Sequence, residues 1–186
     1  MKHQTPNIKN QTQTGFTLVE TLVALSIFTT AIVAIIVVSA GGIGNLQIAE
    51  KRAQGSFLAQ EGIELVRNIR DSAMLAGTNG SGWTTFITSN SGGIAACTNG
   101  ASCTIDPITL AVTACVGSCP PIRHDLSGGI GTYDYTSTTA SVFVRTIQVS
   151  FAAPGTTDEV RVTSTVSWPE GTTQSLTLTE DLFNWQ

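Results

Sequence analysis

Hydrophobic and polar positions divide the 186 residues into stretches of different rhythm. Met1 to Gly15 is polar, with Lys2 and Lys9 as its only full charges. From Leu22 to Ile43 apolar residues follow one another with no charge among them. About 20 helical residues cross a bilayer core, so this run is long enough to span a membrane. Thr21, Ser26, Thr29, Thr30 and Ser39 are tolerated there, because a helix returns small hydroxyls to its own carbonyls. Gly41, Gly42 and Gly44 then break the helix-favouring composition, each costing a helix about 1 kcal/mol relative to alanine. Two readings stay open at that point: a flexible link to a separate domain, or one long helix with a soft point. Beyond it a helical period returns. Leu46, Ala49, Ala53 and Phe57 form one apolar stripe, and Leu58, Leu65, Val66 and Ile69 continue an apolar face. Glu64 and Arg67 stand at helical pairing distance, and the helix is expected to end between Asp71 and Leu75, ahead of Gly77, Gly80 and Gly82.

A two-residue period replaces the helical one near the C-terminus. Phe143, Ile147, Val149 and Phe151 share one face with Arg145 among them, and Val160, Val162, Val166 and Trp168 alternate with Arg161, Thr163, Thr165 and Ser167. Pro169-Glu170-Gly171-Thr172 is turn chemistry, after which Leu176 and Leu178 alternate with hydroxyl residues. Three such strands in succession predict an antiparallel meander, one face on the amphipathic helix and the other carrying Thr and Ser to solvent. Leu182, Phe183 and Trp185 are expected to pack the tail down. The middle is loop-rich. Trp83 to Thr88 reads as a short strand or packed aromatic turn, and Thr104 to Val112 as an edge strand limited by Pro107. Ser89 to Gly93 and Thr98 to Ser102 read as turns, and Gly128, Gly129 and Gly131 as a turn into a strand at Tyr133-Asp134-Tyr135. The predicted fold class is α+β: a long N-terminal helix, transmembrane in its first half and amphipathic in its second, packed on a C-terminal antiparallel sheet. The segments are 1–15, a leader; 16–44, the membrane half; 45–75, the amphipathic half; and 76–186, the head.

Composition sharpens this picture. Only 12% of residues are charged, against roughly 25% in soluble domains. Formal net charge is -4, and with the two leader lysines set aside, seven basic residues face 13 acids. That balance argues against a general phosphate-binding surface. The head's basic residues are Arg123, Arg145 and Arg161, so a DNA-binding role needs them to cluster with an exposed aromatic such as Trp83. No phosphate loop, paired-histidine motif or nucleophile elbow occurs, so the chain reads as a non-enzyme with no cofactor and no metal site.

The leader's lysines favour a cytoplasmic N-terminus. Glu20 is the anomaly, since it sits at the edge of the apolar run, and an acid inside a membrane costs on the order of 3 kcal/mol at the centre. It stays wet at the interface or it has a partner. Gly15-Phe16-Thr17-Leu18-Val19-Glu20, with a short polar leader before it and an apolar run behind it, resembles the processing site of type IV pilins and type II secretion pseudopilins. That resemblance implies cleavage after Gly15 by a prepilin peptidase and methylation of the new Phe16 amine. It further implies pairing of that amine with Glu20 of a neighbouring subunit. The expected function is then a structural subunit of a pilus-like filament. Its partners are other pilin subunits, the peptidase, the assembly machinery of the inner membrane, and lipid before assembly. The location is a single-pass inner-membrane protein, N-terminus inside, which passes into an extracellular filament. The strand pattern of the head is similar to minor pilins, which keeps a tip subunit binding surfaces or DNA as the alternative. A third reading takes Val38-Ser39-Ala40 before Gly41 as a signal-peptidase site that releases a soluble domain.

Cys97, Cys103, Cys115 and Cys119 all lie in the middle segment. Outside the cytoplasm they are expected to form two disulfides. Three connectivities are open, of which local pairing, Cys97 with Cys103 and Cys115 with Cys119, closes two small loops. The spacing lacks the Cys-x-x-Cys of a zinc site, and His124 is the only histidine nearby.

Overall fold

A computed structural model describes residues 15–125, 131–151 and 157–184. The expectations for the leader up to residue 14, for a turn at Gly128 and Gly129, and for the packing of Trp185 fall outside the described residues. The chain divides into two compact units, Met1–Gln47 and Ile48–Gln186.

The first unit is helical. Helix α1 (Leu18–Ala76) begins here and is unbroken through Gly41, Gly42 and Gly44. The glycines therefore soften a helix and do not interrupt it. Every residue from Gly15 to Gln47 is exposed. The hydroxyls of Thr21, Ser26, Thr29 and Thr30 each donate to the carbonyl three residues back, at 2.8–3.0 Å. This hides polar groups that an apolar environment would penalise.

The second unit packs the end of α1 on an antiparallel sheet. Its further elements are α2 (Gly82–Thr88), a 3-10 turn at Ala95–Cys97, β1 (Cys103–Ile105), β2 (Val112–Ala114), β3 (Arg123–Asp125), β4 (Thr132–Asp134), β5 (Thr139–Ala140), β6 (Val144–Phe151), β7 (Glu159–Glu170) and β8 (Thr172–Phe183). Strand order is β2-β1-β6-β7-β8 in the main sheet and β4-β3-β5 in a small second one. The meander is β6-β7-β8, with Val149 opposite Val162 and Val166 opposite Leu176. The β7–β8 hairpin turns at Gly171, whose φ of +72° suits a residue without a Cβ. Ile147 and Val149 of β6 and Val160 and Val162 of β7 pack in one core with Ile63, Val66 and Ile69 of α1. Leu58 and Ala59 share a second with Val166 and Trp168.

Four expectations are corrected. The stripe Leu46, Ala49, Ala53 and Phe57 is exposed, Leu46 and Phe57 each at 69%. Leu58, Leu65, Val66 and Ile69 are buried as expected, and Gly55, Ala59, Gly62 and Ile63 complete the face with them. Small residues decide it: a Cβ on Gly55 would lie 2.7 Å from the Trp168 ring, and one on Gly62 would lie 2.4 Å from Ser164 Oγ. Counting only large apolar residues passes over a contact that requires close backbone approach. Trp83 to Thr88 is helix α2, not a strand, because Trp83 and Phe86 enter the core three residues apart. Thr104 to Val112 is not one strand: Thr104 and Ile105 end β1, Val112 begins β2, and Pro107 lies in the turn between them, where it has no ladder bond to break. Leu182 is buried as expected, whereas Phe183 is 54% exposed, because strand alternation turns it to the outer face.

Candidate functional site

Gly15 and Phe16 are both exposed, and helix α1 starts two residues beyond Phe16. Glu20 lies in its first turn, where an acid suits the positive end of the helix dipole. Thr17 precedes the helix, and its hydroxyl accepts a hydrogen bond from the Glu20 N–H at 3.3 Å. Thr17 and Glu20 thus have the Thr-x-x-Glu spacing of a capping box. Glu20 therefore has a local role at the helix start, and the Thr-x-x-Glu spacing that signals it is present in the sequence. One helix in the described residues, α1, is long and apolar enough to cross a membrane, and its apolar window is wholly exposed.

The cysteines pair locally: Cys97 with Cys103, and Cys115 with Cys119. The two bridges differ in surroundings. Cys97 and Cys103 are fully buried, joining the 3-10 turn to β1, whereas Cys115 and Cys119 are half-buried at the end of β2.

The strongest polar site of the head is centred on Arg145, which the pattern placed on an apolar face and whose partners it did not reveal. Its side chain has no exposure. One guanidinium nitrogen donates to Glu61 Oε2 at 2.5 Å and to the Leu58 carbonyl at 3.3 Å, and the other to the Ile105 carbonyl at 2.9 Å. The guanidinium also lies 5.9 Å from the centre of the Tyr135 ring. A single side chain thereby ties α1, β1, β6 and the turn after β4.

Two aspartates organise the turns around it. Asp106 Oδ1 accepts hydrogen bonds from the N–H groups of Ile108 and Thr109 and from the Thr109 hydroxyl, and Oδ2 accepts from the Tyr135 N–H at 3.0 Å. Burial pushes its carboxyl up, but these donors outweigh burial and hold it below the ordinary range. Asp134 behaves alike, burial being outweighed by the hydroxyl and N–H of Ser137 and those of Thr136.

Among the described residues, the arginines and the aromatic expected of a DNA-binding head are not displayed together. Arg145 and Trp83 are buried. Arg161 makes a bidentate pair with Asp181, and Arg123 donates to the carbonyls of Ser137 and Thr138. His124 lies edge-on to Tyr133 across the β3–β4 ladder. Among the described residues no three His, Cys, Asp or Glu side chains gather as metal ligands. Comparison of the chain with family models, curated proteins and solved structures yields no match.

Proposed function

We propose that this chain is a structural subunit of a type IV pilus-like filament. It is cut after Gly15 and assembled through the helix that begins just beyond. The observation that carries the reading is the coincidence of Gly15-Phe16 and Glu20 with a stretch of helix, residues 21–47, that has no charge and whose apolar residues find no cover in the first unit. Such a surface requires lipid or like helices around it. The head supports the reading independently, being an amphipathic helix half laid on an antiparallel meander and closed by two short disulfide loops.

Cleavage gives Phe16 a free α-amine. In a bundle of these helices the amine of one subunit meets Glu20 of another, so a charge that is costly alone is neutralised on docking. The membrane orientation, N-terminus inside, follows from Lys2 and Lys9 ahead of the apolar run. Glu20→Ala tests the pairing: the variant should reach the membrane at normal levels and be depleted from sheared filaments at least tenfold. Incorporation equal to the unaltered chain contradicts it.

The same features fit a minor subunit that carries a binding head. Copy number in sheared filaments separates the two, since a major subunit dominates them.

A further inference from the structure

The outer face of the main sheet is hydroxylated in register. Thr146 stands opposite Thr165, and Thr165 opposite Thr177, with the last two hydroxyls 3.0 Å apart. On the other side the pairing of Cys103 with Ile147 brings Thr104 beside Thr146, and Thr104 is itself opposite Thr113. One rank of five threonines therefore crosses all five strands, about 19 Å at the usual strand spacing. The neighbouring rank continues the chemistry with Gln148, Thr163 and Thr179, and Gln148 donates to the Ser102 hydroxyl at 3.0 Å. An exposed aromatic, Phe183, lies further along β8 on the same face.

The rank ends in a cleft of about 220 Å³ between the β1–β2 hairpin and the turn after β4. Thr104, Asp106, Thr109, Thr113, Tyr135 and Thr136 line it, together with Ala111. Thr104 and Asp106 are each only 5% exposed, so the polar floor is built in and not merely displayed. Among the described residues no Lys or Arg lines it, and the Arg145 guanidinium lies behind the Tyr135 ring, 5.9 Å from its centre. Asp106 is ionised and held by N–H and hydroxyl donors, with one accepted bond on Oδ2 and capacity for another. The cleft is hydroxyl-lined, with the Asp106 carboxylate as the full charge among its described lining residues. It suits a ligand rich in O–H donors that also has apolar C–H faces for the threonine and alanine methyls.

We propose that this cleft holds the terminal residue of a neutral polysaccharide, with the following sugars laid along Thr146, Thr165 and Thr177. Asp106 accepts from a sugar hydroxyl, and threonines both donate and accept, so ring hydroxyls of either sense find a partner. A carbohydrate site of this kind goes beyond the filament reading and does not depend on it, because the chain can be assayed without assembly.

The test uses the mature full chain in detergent micelles, titrated calorimetrically with cello-, xylo-, manno- and chito-tetraose. Saturable binding of at least one is expected. Thr113 is exposed, so Thr113→Trp should fold, fill the cleft and weaken that binding at least tenfold. Thr177→Lys should weaken the tetraose several-fold and leave its monosaccharide unchanged. No saturable binding to any of the four, or binding unaffected by Thr113→Trp in a chain with unaltered circular dichroism, overturns the proposal. So does calcium ion or heparin as the only species that binds.

Discussion

Arg145 is a charge on a strand face whose other buried residues are Phe143, Ile147 and Val149. Its cost is offset by three donated hydrogen bonds, one of them to Glu61, whose side chain remains 38% exposed and so holds the pair partly in water. Arg145→Ala leaves the Leu58 and Ile105 carbonyls without their donor and opens a cavity. It should lower head stability by about 3 kcal/mol, read from chemical denaturation. Glu61→Gln should cost less, since a polar partner for the guanidinium remains. Gly62 makes a sharper case: an added methyl meets Ser164 and the Arg145 side chain at once. Gly62→Ala should destabilise by about 1–3 kcal/mol, and Ser164→Gly in the same chain should recover part of the loss. Asp106 and Asp134 give the pH dependence. Both carboxyls are held below their ordinary value of 3.8, so the stability they contribute is present above that value and disappears as pH falls through their folded values. Thermal unfolding of the head should be level near neutrality and fall steeply below about pH 4, with Asp134→Asn shallower across that range.

Among the elements, strands β6 to β8 were legible because period-two alternation survives wherever one face is buried and the other wet. The buried Val160, Val162, Val166 and Trp168 lie on the face that alternation assigned them. The helix was legible at its ends, its continuity through Gly41, Gly42 and Gly44 was left open, and its facing was legible only from Leu58 onward. Its contact is made by Gly55, Ala59 and Gly62, which carry almost no hydrophobic signal, while Phe57 is left outside. Helix α2 was missed because seven residues with two aromatics fit either a strand or two turns of helix. The Arg145 network was not legible, since its partners come from residues 40 to 87 positions away. Local cysteine pairing was one of three connectivities, and the bridges bear it out. Their unequal burial yields a prediction for the element they close. Mild reductant followed by alkylation should label Cys115 and Cys119 well before Cys97 and Cys103, and equal labelling would show that burial does not protect the inner bridge. Replacing Gly41, Gly42 and Gly44 by Ala should leave the helix content unchanged and slow amide exchange across that segment, since each change favours helix by about 1 kcal/mol.

For the whole molecule, α1 carries two environments in one element. Its first part is exposed, apolar and uncharged after Glu20, and its last part supplies one wall of the head's core. A chain so divided is poorly soluble alone and is stable once the first part is covered, by lipid and then, on the reading proposed, by neighbouring helices. On that same reading, Gly15, Phe16 and Glu20 set where the exchange begins. The measurement that tests this most directly is the intact mass of the mature protein taken from its native membrane. The account predicts a chain that begins at Phe16, carries one added methyl group and is four hydrogens lighter for its two disulfides. A chain beginning at Gly41, or one retaining residues 1–15, contradicts it.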